Sequence, residues 1–286
     1  SLFEDNAEYG YGMACAMTSR RNRLADVAKE IAADATTPAA VKTAAQAWLD
    51  AFDSFDGSAS AGRSLVEALK SQPANPLYTD IIDRADMLGR KSVWAIGGDG
   101  WAYDIGFGGL DHVLAQKTDI NVLVMDTECY SNTGGQTSKA TPLGAVMKYA
   151  ADGKRTPKQD LGRMMMTYGN IYVASVALGA NYEQTINALA EAEAYPGPSI
   201  VIAYCPCINH GIRSGMSHSI VEQRLAVQSG YWPLYRFNPS LDTPLSVDAA
   251  APDGSLIQFI NGEDRYADLR MIDPAEAAIL QPDLQK

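Results

Sequence analysis

Four short stretches of this chain, residues 92–96, 121–125, 171–176 and 199–204, are apolar on both faces of an extended backbone. A strand without a polar face must be covered on both sides, the condition of a parallel sheet held between helices. Enough chain separates each stretch from the next for a crossover helix, which parallel neighbours require. The expectation is an α/β fold: a doubly wound, mostly parallel sheet spanning residues 91–230.

Upstream, residues 11–90 read as helices. Leu24, Val27, Ala28 and Ile31 fall on one helical face, and polar breaks at 34–38 and 53–60 divide the segment. Downstream, the aromatic run from Tyr231 to Phe237 leads into a Pro-, Asp- and Ser-rich tail. The chain thus divides into a helical segment packed on the core (1–90), the α/β core (91–230) and an irregular C-terminal tail (231–286). Met164, Met165 and Met166 are consecutive, share no helical face and read as core filler.

Composition narrows the function classes. With 286 residues, 47% of them hydrophobic, the chain can bury a sizeable core. Its 34 acidic residues outnumber 23 basic ones, and a net charge of -11 repels a phosphodiester backbone, so no nucleic-acid partner is expected. No apolar run approaches the ~18 residues of a membrane span, and Ser1-Leu2-Phe3-Glu4-Asp5 lacks the basic and apolar regions of a leader. The reading is a cytoplasmic protein with no membrane partner. Cys15, Cys129, Cys205 and Cys207 are too few and too irregularly spaced for a disulfide framework. On residue type alone, Cys205 and Cys207 read as buried thiols, a CxC pair being weak evidence for a metal. His112, His210 and His218 lack paired ligand spacing and read as structural or surface residues.

Ligands of a parallel sheet collect beyond the carboxyl ends of its strands. Two loops there carry chemistry: Gly97-Gly98-Asp99-Gly100 after the first apolar stretch, and the segment from Asp126 to Gly135 after the second. Asp99 is a hard anionic oxygen ligand between glycines that let the backbone approach a phosphate. Thr127 adds a hydroxyl, and a nearby main-chain carbonyl can complete a magnesium set. Asn132-Thr133-Gly134-Gly135 can present successive N–H groups to an anion, and a helix starting after Gly100 would add its positive end. Gly-Asp-Gly alone is an ordinary turn, so the second loop is what makes the pair informative. Trp101-Ala102-Tyr103 follows in place of the third glycine of GxGxxG, which argues against a dinucleotide site.

Four longer strings are more specific: Gly97-Gly98-Asp99-Gly100-Trp101-Ala102-Tyr103-Asp104-Ile105-Gly106, Met125-Asp126-Thr127-Glu128, Tyr130-Ser131-Asn132-Thr133-Gly134-Gly135-Gln136 and Ser229-Gly230-Tyr231-Trp232-Pro233-Leu234. They resemble the pyruvate:ferredoxin (flavodoxin) oxidoreductases, and the likeness runs from Ser1 to about Pro252. It implies the thiamine-diphosphate-binding fold. Asp99, Thr127 and the main-chain carbonyl of Cys129 then match Mg2+ ligands. Gly98, Gly100, Trp101 and Ser131 match residues around the cofactor, and Asn132 matches an active-site asparagine at its reacting end. Cys207 matches the last of four cysteines holding a [4Fe-4S] cluster, which reverses the plainer reading of that thiol. Cys205 has no counterpart.

The reaction implied is oxidative decarboxylation of pyruvate to acetyl-CoA and CO2, with electrons passing through Fe-S clusters to ferredoxin or flavodoxin. The implied partners are pyruvate, coenzyme A, the electron carrier, the remaining domains of the same enzyme and, at full length, a second copy. In the family, three cluster ligands and the glutamate that activates thiamine lie before the position of Ser1, so the chain alone is expected to lack turnover. Two other readings stay open on the residues: a non-oxidative thiamine-dependent 2-keto acid decarboxylase or ligase domain, and a non-catalytic scaffold or binding module.

Overall fold

The structure, a computed structural model, describes residues 6–285; the string Ser1–Asp5 lies outside them. Its contacts group into two compact units, Gly12–Val93 and the chain from Trp94 onward together with the start of the first helix. The tail therefore belongs with the sheet, and the division falls between Val93 and Trp94.

The helical unit holds α1 (Ala7–Ala33) from Gly12 onward, α2 (Ala39–Asp50), α3 (Phe55–Lys70) and α4 (Pro76–Asp83). Leu24, Val27, Ala28 and Ile31 share one buried cluster with Val41, Trp48, Leu65 and Ile81, as their spacing predicts. The second break is shorter than its polar composition suggests. Ser54 caps α3 by accepting the Gly57 N–H at 3.0 Å, so the helix begins at Phe55. Trp48 is fully buried and donates its indole N–H to the Leu88 carbonyl at 2.9 Å. Its truncation to alanine would cost ~3–5 kcal/mol by the usual cavity penalty.

The second unit is built on a six-stranded sheet in the order β1-β2-β4-β3-β5-β6. The strands are β1 (Trp94–Gly98), β2 (Asn121–Asp126), β3 (Tyr172–Val176), β4 (Ser199–Tyr204), β5 (Tyr235–Phe237) and β6 (Leu245–Val247). The first four pair in parallel and the last two run antiparallel. Crossovers are made by α5 (Phe107–Ala115), α6 (Leu161–Met166) and α7 (Tyr182–Ala194), and α8 (Ser219–Gln228) follows β4. On one face α7 sets Ala188 and Ala192 against Tyr172, Ala174, Val176 and Val201. On the other, Gly162 of α6 lies against Ile202, so helices cover both faces.

Three features depart from expectation. β1 is an edge strand with Ile96 65% exposed, so its apolar character is not matched by burial. Of the consecutive methionines only Met165 is fully buried, while Met164 is 39% exposed, because a short helix presents them in different directions. The tail expected to be irregular is ordered: β5 and β6 extend the sheet, and α9 (Leu256–Asn261), α10 (Asp264–Ile272) and α11 (Pro274–Leu280) follow. The added strands are tied by Arg236, which grips Asp248 through two bonds of 2.9 and 3.0 Å and also pairs with Glu191 of α7.

Candidate functional site at the carboxyl edge of the sheet

Register places the site. Gly98 lies opposite Met125 and Asp126 opposite Tyr204, so the chain leaves β1, β2 and β4 at one edge, carrying Asp99, Thr127 and the Cys205–Cys207 segment together. The Cys205 N–H donates to the Asp126 carbonyl at 2.9 Å, continuing the ladder one residue into that segment.

Asp99 is 1% exposed, and both of its carboxylate oxygens are engaged. Oδ1 lies 2.7 Å from the Thr127 hydroxyl and Oδ2 accepts from Ser138 Oγ at 2.7 Å. Thr127 Oγ1 is also 3.0 Å from the Cys129 carbonyl oxygen. One hydroxyl proton cannot serve two acceptors, so the three oxygens form an acceptor-rich cluster. Ligands at ~2.0–2.1 Å from an octahedral Mg2+ lie about 2.9 Å apart along an edge. The separations of 2.7 and 3.0 Å match that edge, and the donor set is all hard oxygen. Burial, then the nearby Asp126, pushes the Asp99 carboxyl up to about 6, against the hydrogen bonds from Ser138 and Thr127 and the charge of Lys158. A bound cation would reverse that shift.

The surrounding backbone leaves room on one side only. A Cβ at Gly98 would meet nothing within 4 Å, whereas at Gly100 it would fall 2.5 Å from Tyr130 Cδ1. Trp101 is 7% exposed and its ring fills the space beside Gly97, where a Cβ would come within 2.7 Å of it. The helix expected after Gly100 begins with a π-turn, Gly100–Ile105, before α5. Loop 130–136 closes through Tyr130 and Gln136, with Gly134 and Gly135 at φ +112° and +88°. Ser131 and Asn132 are exposed on its turn.

Cys207 comes to this loop, a meeting that no sequence spacing revealed. Its sulfur lies 3.0 Å from Ser131 Oγ and 3.4 Å from both amide nitrogens of Asn209, whose side chain also packs on Gly135. Donation from Cys129 pulls the Cys207 thiol well below its ordinary value; burial opposes this, and Ser131 and Asn209 reinforce it. Among the described residues, no three His, Cys, Asp or Glu side chains gather into a metal cage.

Behind the oxygen cluster lies a buried charge network that sequence reading missed. Lys158 bridges Asp126 at 2.7 Å and Glu128 at 3.4 Å. Arg265 of α10 pairs with Glu128 at 2.8 Å and Glu263 at 2.7 Å. Burial alone would raise the Glu128 carboxyl, but Arg265 and then Lys158 outweigh it and hold it at about 2. His210 is buried, as a structural histidine should be, and its Nε2 lies 2.8 Å from the Thr127 carbonyl. Ser138 is 39 residues from Asp99, and Arg265 is farther still from Glu128, so neither has a local signature.

Comparison with known proteins identifies two domains along the chain. Residues 84–203 match the thiamine pyrophosphate enzyme C-terminal TPP binding domain, and residues 20–77 match the pyruvate-ferredoxin oxidoreductase insertion domain. The chain is 52% identical over 97% of its length to a pyruvate:ferredoxin oxidoreductase of Moorella thermoacetica, covering 24% of that protein. It is 49% identical over 96% of its length to a pyruvate-flavodoxin oxidoreductase of Klebsiella pneumoniae, again covering 24%. It is 44% identical over 98% of its length to a mitochondrial pyruvate dehydrogenase [NADP(+)] of Euglena gracilis, covering 16%. The chain thus spans about a quarter or less of the length of these relatives. No helix among the described residues is long and apolar enough to cross a membrane. Across nearly its whole length this chain is similar to the pyruvate:ferredoxin (flavodoxin) oxidoreductases, and it carries their insertion domain followed by a thiamine-pyrophosphate-binding domain.

Proposed function

We propose that this chain supplies the diphosphate-binding half of a thiamine-dependent, cytoplasmic 2-oxo acid oxidoreductase, which oxidatively decarboxylates pyruvate to acetyl-CoA and CO2. The observation that carries the reading is the oxygen cluster at two adjacent strand ends, whose two separations from the Thr127 hydroxyl each fit an edge of a magnesium octahedron. Asp99, Thr127 and the Cys129 carbonyl would hold Mg2+. Gly98 and Gly100 would let the backbone approach the diphosphate, and Trp101, Ser131 and Asn132 would border the cofactor, with Asn132 as the catalytic group at its reacting end. Thiamine diphosphate, when bound, supplies the electron sink that decarboxylation of a 2-oxo acid requires. The chain's own contribution is to fix the metal oxygens and to keep water from Asp99, which is already buried.

Cys207 would be the ligand this chain gives to a [4Fe-4S] cluster whose other thiolates come from other domains. Its 3.0 Å contact with Ser131 would set the cluster beside the loop bearing Asn132. Electrons would then leave to ferredoxin or flavodoxin, coenzyme A would take the acetyl group, and the intact enzyme would act as a homodimer. The test uses the intact enzyme. Cys207→Ala should lose cluster iron and ferredoxin reduction but keep thiamine diphosphate, while Cys205→Ala should keep all three. Full iron content or unchanged carrier reduction in Cys207→Ala would refute the ligand assignment, and a wild-type enzyme that decarboxylates pyruvate without reducing either carrier would favour a non-oxidative decarboxylase.

A further inference from the structure

Glu128 stands between Thr127 and Cys129, and its backbone is left-handed at φ +57°. Glycine would adopt this conformation freely, whereas a residue with a Cβ holds it only where the surroundings over-determine it. Here they do. The Glu128 carboxylate is 1% exposed, accepts the Tyr231 hydroxyl at 2.7 Å and pairs with Arg265 at 2.8 Å, while its second oxygen faces Lys158 at 3.4 Å. The main chain is fixed as well: its N–H donates to Asp126 Oδ1 at 3.1 Å, and its carbonyl accepts the Thr141 hydroxyl at 2.6 Å.

The consequence lies on either side of the kink. The left-handed residue turns the chain so that the side chain of Thr127 and the carbonyl of Cys129 meet 3.0 Å apart, on the side where Asp99 waits. In an extended strand end, a side chain and the carbonyl two residues on would not converge on one point. We infer that Glu128 is a positioning residue: its buried carboxylate, anchored by Arg265, Tyr231 and Lys158, locks the kink that aims two of the three oxygens at one cation. This inference rests on the proposed magnesium site and adds the residue that shapes it. A glycine at 128 would permit the kink without holding it; the glutamate holds it.

The experiment measures thiamine diphosphate binding calorimetrically in the intact enzyme while Mg2+ is titrated, for wild type, Glu128→Gln and Glu128→Gly. The expected result is a rise in half-saturating Mg2+ of at least tenfold in Glu128→Gly and about threefold in Glu128→Gln, with binding restored at saturating Mg2+ because Asp99 and Thr127 remain. Were backbone freedom all that mattered, Glu128→Gly would match wild type. Should that variant fail to fold, Glu128→Gln, which keeps the side-chain shape, decides alone. Half-saturation within twofold of wild type in every folded variant would overturn the inference. A wild-type enzyme whose cofactor binding ignores Mg2+ would instead overturn the magnesium site, a result distinguishable from the first.

Discussion

Removing the guanidinium of Arg265 tests the buried network behind the site. In Arg265→Met the side chain keeps its length but leaves Glu128 and Glu263 without their shared partner, at positions 1% and 0% exposed. Both lost ion pairs are short, 2.8 and 2.7 Å, and the guanidinium also lies 5.0 Å from the centre of the Tyr266 ring. Breaking a buried pair by deleting one partner costs ~3–5 kcal/mol, because the survivor keeps its desolvation penalty. At roughly 2–4 °C per kcal/mol for a chain of this size, the melting temperature should fall by roughly 6–20 °C. Differential scanning calorimetry reads this directly. Adding Glu263→Gln to Arg265→Met should restore part of the loss, since one of the two carboxylates that lost Arg265 is then neutral, while Glu128 keeps Lys158. A fall below about 2 °C, or no recovery in the double variant, would mean that these carboxylates are not desolvated as described.

Two further predictions concern stability. Burial, then the nearby Glu263, pushes the Glu222 carboxyl up from 4.5 to about 7, against Arg265 and His210, and its Oε1 has no hydrogen-bond partner among the described residues. The raised value means that the folded state loses stability as pH climbs from about 4.5 through about 7. Glu222→Gln should therefore raise the urea midpoint at pH 8 and leave it unchanged at pH 4; an equal effect at both would refute the assignment. Gly100→Ala should cost ~1–3 kcal/mol through the clash with Tyr130, whereas Gly98→Ala, facing open space, should stay within about 0.5 kcal/mol. Equal losses in thermal melts would show that the two glycines are not distinguished by space.

The strands were legible because a buried parallel strand leaves a local mark. Asn121–Asp126, Tyr172–Val176 and Ser199–Tyr204 lie within a residue of their apolar runs. The tail was not legible, since β5 has three residues and owes its place to Arg236 meeting Asp248, a contact that depends on the finished sheet. The site divides in the same way. Asp99 and Thr127 stand at strand ends and could be found by looking there, and the resemblance singled out the Cys129 carbonyl. Ser138, His210, Lys158 and Arg265 reach the site from loops and a helix far along the chain, and their residue types are common at surfaces. Glu128 was visible only as one letter of a string. Its role depends on a backbone angle and on three partners, none of which a sequence displays.

The most direct test of the proposed magnesium-diphosphate site is a calorimetric titration of thiamine diphosphate into the intact enzyme, with Mg2+ and with EDTA, for wild type and Asp99→Ala. The three-oxygen cluster predicts binding in wild type that chelation abolishes and Mg2+ restores. In Asp99→Ala, which lacks the only charged oxygen of the cluster, affinity should fall at least a hundredfold while the circular dichroism spectrum stays native, about 2.7 kcal/mol of lost binding. Binding that survives EDTA, or an Asp99→Ala variant that binds as wild type does, would contradict the assignment of this strand-end cluster as the cofactor's metal site.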